Sequence, residues 1–335
     1  MHARRARWIA FSLLLAGAAL LALGAAVGST GLDTLWSMRG DAVAWQIVWD
    51  IRLPRTLGAW LAGALLGLAG AVAQGLFRNP LADPYLLGSA SGASLGVAAA
   101  LSLFGVSVNS TAWVVRLGLT GAAFVGAVAA VLLTLALARG VQQTLRLLLA
   151  GVIVGVVLGA VKDLISIASA DILQALQAFM LGSTGLVGWG ACGVMAGVLA
   201  LCLLAGAALA PVLDGLALGE ATATSLGLPL PAMRVALVAV LALATGAAVA
   251  QTGLIAFVGL AAPHLVRSLV KTTHVRLVLL SALMGGLLLM AADLGARWLI
   301  APQELPVGVL TAVFGGGYLL WLMHRRALRA AGQGA

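Results

Sequence analysis

Long apolar runs separated by short charged or proline-rich breaks dominate the pattern of this chain. The run from Thr56 to Phe77 contains no charged residue and is long enough to cross a hydrocarbon core of ~30 Å as a helix. The pattern predicts an all-α polytopic membrane protein of about ten transmembrane helices. The predicted spans are 8–28, 53–77, 86–105, 113–137, 146–167, 190–210, 233–251, 254–270, 277–299 and 306–324.

Two of these spans are expected to be short. Glycines interrupt the third span, and the eighth is expected to cross only part of the membrane. Before the third span, the polar segment Arg78 to Pro84 holds two prolines, which stop the preceding helix and redirect the chain.

The linker between spans six and seven, 211–231, differs from the other breaks because Asp214 and Glu220 are its only charged residues. Asp214 is expected to cap a short helix in which Leu216, Glu220 and Ala223 share one face. That helix could rest on the membrane surface or dock on a cytoplasmic partner. Helices of the first kind usually carry Lys and Arg, and this one has none.

Composition supports the membrane interpretation. The chain is 62% hydrophobic and 9% charged with a mean hydropathy of +1.12, whereas soluble domains are ~25% charged. The first apolar run is too long for a signal-peptide core, so it is interpreted as the first span. Cys192 and Cys202 lie in one apolar run and are interpreted as small apolar residues.

The positive-inside rule orients the spans and accounts for the net charge of +9. With ten spans and the amino terminus inside, most of the nineteen basic residues fall on the cytoplasmic side. Both termini are therefore expected to be cytoplasmic. The basic residues left outside are Arg39, Arg52, Arg55, Arg116, Lys162 and Arg297.

The tetrapeptide Ala-Val-Ala-Gln occurs at 71–74 and again at 248–251. On the predicted topology the two copies run in opposite directions. This indicates an inverted repeat of spans 2–5 and 7–10, which is a common architecture of transport proteins.

The energy source must lie outside this chain, because the sequence has no G-x-x-x-x-G-K-[ST] phosphate loop. A separate ATPase or an ion gradient could supply it. An ion-coupled carrier more often has ionisable residues near the middle of its spans, whereas Lys162, Asp163, Asp293 and Arg297 lie near span ends. Asp293 and Arg297 are four residues apart and are expected to form an ion pair on the helix surface.

An intramembrane serine protease is the enzyme alternative, with the segment Gly88 to Gly92 as nucleophile turn and His264 as base. Small residues in membrane helices usually serve packing, so this alternative is disfavoured. The histidines do not resemble metal or haem ligands within a span, and no cofactor or metal is expected.

Several segments, in one order along the chain, resemble a known permease family. It is the family of type II ABC importers for iron–siderophores, haem and cobalamin. The matching segments are Arg52 to Gly96, Leu147 to Val152, Leu216 to Glu220, Gly253 to His264, Ala292 to Arg297 and Glu304 to Val309.

The resemblance implies a single transmembrane permease domain over 1–335 in the bacterial inner membrane. It implies two identical subunits lining one pore, two cytoplasmic ATP-binding subunits and a periplasmic substrate-binding protein. The chain itself would be a translocation subunit rather than an enzyme. Spans four and five and the short helix before Trp189 would open and close the pore by alternating access.

The resemblance also assigns roles to residues. Arg52, Arg55 and Arg297 match outward arginines that receive acidic residues of the binding protein; anchoring in lipid headgroups is the alternative. The segment 213–228 matches the helices that couple to the ATPase, with Gly219 and Glu220 as the matching core. The residues expected to couple are Leu216, Leu218, Gly219 and Glu220.

Gln142, Gln143 and Thr144 fall at the family's cytoplasmic gate. Thr144 matches the family pattern, whereas the glutamines and Leu145 depart from the small hydroxyl residues of cobalamin importers. The expected cargo is an iron chelate, haem or ferric siderophore, because most members of the family carry these; cobalamin is the alternative.

Overall fold

The computed structural model of the chain describes residues 2–28, 31–32, 42–104, 113–138 and 144–331. These residues are almost entirely helical. One antiparallel ribbon follows the first helix and pairs β1 (Val27–Gly28) with β2 (Gly31–Leu32). The helices are α1 (His2–Ala26), α2 (Ala42–Ile47), α3 (Leu53–Leu76), α4 (Ser89–Phe104), α5 (Trp113–Leu137), α6 (Thr144–Ile167), α7 (Ala170–Leu181), α8 (Trp189–Ala217), α9 (Glu220–Ser225), α10 (Leu230–Thr252), α11 (Val258–Leu269), α12 (His274–Trp298) and α13 (Val307–Ala331).

All ten predicted spans are helical, in α1, α3–α6, α8 and α10–α13. Within the described residues, seven helices are long and apolar enough to cross a membrane. The third and eighth spans are short, as predicted, because α4 has 16 residues and α11 has 12. At 1.5 Å per residue, α11 covers only ~18 Å of the bilayer core.

Besides α9, which lies in the linker 211–231, two short helices of the described residues lie outside the predicted spans. The first is α2, which is joined to α3 by a π-helical turn, Val48–Arg52. The second is α7, which follows α6 and ends before the chain enters α8. Both are too short to cross a bilayer as helices, so a search for long apolar runs does not find them.

Helix α3 lies at the centre of the fold. Every residue from Leu61 to Leu76 is buried, because α8, α10, α11 and α12 pack around it. Glycines permit this packing: a Cβ atom at Gly70 would lie 1.7 Å from the carbonyl oxygen of Gly259 on α11. Small residues in membrane helices let backbones approach closely in this way.

A second group is formed by α4, α5 and α6. Gly92 of α4 and Gly126 of α5 face each other so closely that a Cβ atom on either would lie within 2.3 Å of the other's carbonyl oxygen. Helix α3 packs against α12, and α10 packs against α5. A two-fold relation between spans 2–5 and 7–10 exchanges these two contacts, which supports the predicted inverted repeat.

Helix α13 is less enclosed than the helices around α3. Val313, Phe314, Leu320 and Trp321 are each more than half exposed. An apolar cavity of about 580 Å³ lies where α11, α12 and α13 meet. Helix α13 therefore lacks part of the close packing that surrounds α3.

Candidate functional site

Four charged side chains meet where α3 begins, α12 ends and α13 begins. Arg55 Nε donates to Asp293 Oδ1 at 3.2 Å, and Arg55 Nη1 lies 3.0 and 2.8 Å from the two carboxylate oxygens of Glu304. Arg297 Nη2 donates to Asp293 Oδ2, one turn away on α12. We call Arg55, Asp293, Arg297 and Glu304 the arginine–carboxylate cluster, and this end of the helix bundle the cluster end.

Neutral groups complete the surroundings of the cluster. The hydroxyl of Thr184, in the segment between α7 and α8, donates to Asp293 Oδ1. Arg297 donates to Thr56 Oγ1 of α3 at 3.1 Å and to the backbone carbonyl of Gly24 in α1 at 3.3 Å. The cluster thus connects α1, α3, α12 and the segment before α8.

The cluster has two positive and two negative groups and is buried unevenly. The side chains of Asp293 and Arg297 are 0% and 2% exposed, that of Arg55 is 12% exposed, and that of Glu304 is 36% exposed. A charge removed from water is costly unless an opposite charge and hydrogen bonds compensate it. The charges of the buried side chains must therefore balance, whereas Glu304 lies on the solvent-exposed side of the cluster.

The structure modifies the expectations for the outward arginines. The predicted Asp293–Arg297 pair is present, but its predicted position on the helix surface is wrong, because α1 and α3 cover it. Arg52 is half-buried and donates to the backbone carbonyls of Ala25 and Ala26 at 3.4 and 3.2 Å. Arg297 does not present its charge to the outside in this structure. A docking role for Arg52, Arg55 and Arg297 stays a prediction.

The opposite end of the bundle, which we call the linker end, holds α9. Its first residue, Glu220, has its carboxylate 2.6 Å from Nη2 of Arg234 in α10 and 3.8 Å from Nη2 of Arg78, just after α3. Arg234 is buried, so its charge depends on this pairing in part. Gly219, with φ of +111°, provides the turn between α8 and α9, a backbone conformation that favours glycine.

The predicted short helix of the linker differs from the observed one. Helix α8 continues through Pro211 to Ala217, and α9 starts only at Glu220. Leu216 is buried within α8, whereas Leu218, between the two helices, is 69% exposed. The prediction that Leu216 shares one helix face with Glu220 and Ala223 is therefore wrong.

The predicted capping role of Asp214 is also wrong, because Asp214 lies inside α8. Its Oδ1 accepts a hydrogen bond from the backbone N–H of His274 at 3.1 Å and lies 2.6 Å from Nδ1 of the same residue. His274 is the first residue of α12. Asp214 therefore fastens the end of α8 to the beginning of α12, next to the linker.

The predicted gate falls largely outside the described residues. This applies to Gln142, Gln143 and the side chain of Thr144, whose backbone begins α6. The gating role of these three residues stays a prediction.

The first copy of the repeated tetrapeptide has a structural role that the sequence did not suggest. Gln74 is buried, and its Nε2 donates to the backbone carbonyl of Leu260 in α11 at 3.1 Å. Arg267, near the end of α11, donates to the Oε1 atom of Gln74. Gln74 thus links the central helix to the short helix α11.

The turn between α3 and α4 is fixed by two side-chain oxygens. Asn79 Oδ1 accepts a hydrogen bond from the Leu81 N–H at 2.9 Å, and Asp83 Oδ1 accepts one from the Tyr85 N–H at 2.8 Å. Burial raises the pKa of the Asp83 carboxyl above its ordinary value, and the bond from Tyr85 opposes this shift. The polar segment that the sequence identified is thus a hydrogen-bonded turn.

Helices long and apolar enough to cross a membrane, with a charged cluster at one end and a short linker helix at the other, are the arrangement expected of the permease subunit of a transporter. The chain belongs to the FecCD transport family, whose model matches residues 12–325. It is a multi-pass permease of the type II ABC importer class. Membership implies partnership with ATP-binding and substrate-binding subunits.

Individual relatives agree with this assignment. The hemin transport system permease protein HmuU of Yersinia pestis is 38% identical over 321 residues, covering 93% of this chain and 94% of HmuU. The vitamin B12 import system permease protein BtuC of Salmonella typhi is 39% identical over 326 residues, covering 97% of each chain. An ABC transporter assigned to the metal-chelate type, solved in an inward-facing conformation, superimposes with a TM-score of 0.85 at 28% identity, covering 95% of this chain and 99% of its own.

The sequence did not identify two members of the cluster end. Nothing in the sequence distinguishes Thr184 from the other small polar residues of the chain. Glu304 lies in a segment that matches the family, but the sequence does not indicate its pairing with Arg55. The predicted topology places Glu304 on the same side of the membrane as the outward arginines, and this is the sequence signal that could have indicated an ion pair.

Proposed function

We propose that this chain is one half of a homodimeric permease that imports an iron chelate, haem or a ferric siderophore, from periplasm to cytoplasm. Two cytoplasmic ATP-binding subunits would supply the energy, and a periplasmic binding protein would deliver the cargo. Both termini would be cytoplasmic, and the membrane would be the bacterial inner membrane. The chain would catalyse no reaction on its cargo.

The observation that supports this proposal best is the arrangement at the linker end. Glu220 of α9 lies between the cationic groups of Arg234 and Arg78. Arg234 is near the start of α10, and Arg78 follows the end of α3. A displacement of α9 by a cytoplasmic partner would therefore be transmitted to both α3 and α10. Exposed Leu218 beside α9 is an apolar group that an ATP-binding subunit could cover. These contacts suit a coupling element formed by Leu216, Leu218, Gly219 and Glu220.

Helix α6 supports the homodimer. Leu149, Val152, Ile153, Val156 and Val157 are all at least half exposed along this helix. Such a face needs lipid or another apolar helix against it. A second copy of this chain would cover part of it and enclose a pore between the copies, next to the proposed gate at 142–144.

The cluster end suits docking of the binding protein. The Arg55 side chain is 12% exposed beside Glu304, and Arg52 lies one helical turn before it. Arginines of this kind pair well with carboxylates of a partner. Arg297 would act indirectly, by holding Asp293 under Arg55.

Cobalamin is a second candidate cargo, because BtuC of Salmonella typhi is as similar to this chain as HmuU of Yersinia pestis. The gate residues favour the iron chelate, since Gln142 and Gln143 depart from the small hydroxyl residues of cobalamin importers.

Reconstitution in proteoliposomes tests the proposal. The permease, with the ATP-binding subunit and binding protein encoded beside it, should import labelled haem or ferric siderophore only when ATP is present inside the cytoplasmic compartment. Import of cobalamin alone would change the proposed cargo but leave the proposed ATP-driven import mechanism in place. Uptake driven by a proton gradient without any ATP-binding subunit would overturn the importer mechanism.

A further inference from the structure

Glu304 has an unusual position within the arginine–carboxylate cluster. It lies in the loop between α12 and α13, and both of its carboxylate oxygens are within 3.0 Å of Arg55 Nη1. The other acid of the cluster, Asp293, is fully buried and is bonded by Arg55, Arg297 and Thr184. The two acids therefore differ in accessibility although they share one arginine.

The charges of the cluster balance only when Glu304 is included. Arg55 and Arg297 contribute two positive charges, and Asp293 neutralises one of them. The second negative charge comes from Glu304. If Glu304 left, Arg55 would retain one contact to Asp293 and would need another carboxylate to restore neutrality.

Exposure determines which contact can be exchanged. The exposed fraction of the side chain rises from 0% at Asp293 to 12% at Arg55 and 36% at Glu304. A carboxylate arriving from outside can therefore displace Glu304 from Arg55, but it cannot reach the buried bond between Arg55 and Asp293. Carboxylates exchange readily on one guanidinium because the geometry of the bonds is the same.

The loop that holds Glu304 leads directly into α13. The Leu305 N–H donates to the Ala296 carbonyl at 3.0 Å, so the loop is fastened to α12 right after Glu304. Helix α13 begins at Val307 and borders the 580 Å³ cavity beside α11 and α12. Release of Glu304 would remove one restraint at the start of this incompletely packed helix.

We propose that Glu304 is an internal competitor of the binding protein: it occupies Arg55 in the free permease and is displaced by an acidic side chain of the docked partner. This inference rests on the docking role proposed for Arg55. Displacement removes the restraint that Glu304 places on the α12–α13 loop, while the Leu305–Ala296 bond still holds the loop to α12. The start of α13 is thereby loosened when the binding protein arrives. The partner's chemistry is thereby specified as a carboxylate that takes over the bonds of Glu304.

Replacement of the competitor tests the proposal. In the reconstituted complex, E304Q should bind the binding protein encoded beside this chain about two- to fivefold more tightly at low salt, because an exposed ion pair no longer competes. The matched control is D50N, which removes an exposed acidic charge from the turn before α3. Among the described residues Arg55 bonds to Asp293 and Glu304 and not to Asp50. A purely long-range charge effect would tighten binding equally in both variants and would overturn the proposal.

A second variant covers the case in which E304Q does not fold. E304D keeps the charge but shortens the side chain, so it should weaken the bond to Arg55 and tighten docking to a smaller extent. Size-exclusion chromatography in detergent reports on folding of each variant. Unchanged or weaker docking by every folded Glu304 variant overturns the competitor role.

The variant R55Q distinguishes failure of this inference from failure of the docking role of Arg55 on which it rests. If R55Q weakens docking while the Glu304 variants do not strengthen it, the competitor role fails and the docking role stands. If R55Q leaves docking unchanged at low salt, both fail.

Discussion

Arg297 donates to the carboxylate of Asp293 four residues earlier on α12, and both side chains are enclosed by α1, α3 and the segment before α8. Breaking a buried ion pair from one side leaves a charge without its partner, at a cost of about 3–5 kcal/mol. D293N and R297Q should each lower the unfolding temperature strongly in detergent. The double variant should lose less than the sum of the two, because the residues act as a pair.

The chain offers a surface pair as the control for that cycle. Lys162 Nζ lies 2.6 Å from Asp163 Oδ1, but the Asp163 side chain is 65% exposed. D163N should therefore change stability by less than about 1 kcal/mol. Additive losses for D293N and R297Q would contradict the interpretation of the cluster as one unit.

Glu220 is expected to transmit the movement of the ATP-binding subunit. E220Q removes the carboxylate that lies 2.6 Å from Arg234, so the turnover of cargo per ATP hydrolysed should fall several-fold while the permease still assembles. Parallel assays of ATP hydrolysis and uptake in proteoliposomes measure this ratio. S225A is the control on the same helix, because among the described residues the Ser225 hydroxyl donates within α9, to the Thr222 carbonyl at 2.8 Å. An unchanged ratio in E220Q would contradict the coupling role.

The contact between α3 and α11 should not tolerate a methyl group. G70A would bring Cβ to 1.7 Å from the Gly259 carbonyl oxygen, so the helices must separate, with a cost of about 1–3 kcal/mol or more. The unfolding temperature and the yield of folded protein should both fall. G193A on α8 is the control, because no atom lies within 4 Å of the added Cβ. Equal stability of the two variants would show that α11 is not packed on α3 as described.

Asp83 should make the turn after α3 more stable in acid. Burial raises its pKa in the folded state, so the favourable contribution of the protonated form is complete below the ordinary pKa of 3.8 and is lost as pH rises through the raised value. D83N removes the charge but keeps an oxygen that can accept the Tyr85 N–H. It should therefore equal or exceed the wild type in unfolding temperature at neutral pH, and this advantage should shrink on acidification.

D83A provides the comparison for the hydrogen bond. It lacks the acceptor for Tyr85 and should be less stable than D83N at every pH at which both are folded. If D83N were less stable than the wild type at neutral pH, desolvation of the charge would not be the dominant effect at this site.

The spans could be predicted from sequence because burial in lipid requires long apolar runs that are visible residue by residue. Helix α8 shows where such reasoning fails. The sequence predicts that the sixth span ends before Pro211, yet the helix continues to Ala217. A membrane helix tolerates an internal proline when neighbouring groups satisfy the backbone. These additional residues, about two helical turns, place both Asp214 and Leu216 inside α8.

The cluster end was only partly predictable. The spacing of Asp293 and Arg297 indicated their pairing, but nothing local indicated that α1 and α3 cover them. Arg55 and Glu304 are 249 positions apart in sequence. Their contact depends on the three-dimensional meeting of α3 with the α12–α13 loop, which a single sequence without an alignment does not specify.

The enclosure of α3 has a consequence for how the chain is made. Helix α3 enters the membrane early, yet its glycines Gly63, Gly67 and Gly70 pack against α11 and α12, which are synthesised late. Until those helices insert, α3 must reside in lipid with its close-packing surface uncovered. Nascent chains that stop before α10 should therefore be the ones that membrane quality control recognises and degrades, and release of the carboxyl-terminal third should mark the moment at which the permease becomes protease-resistant.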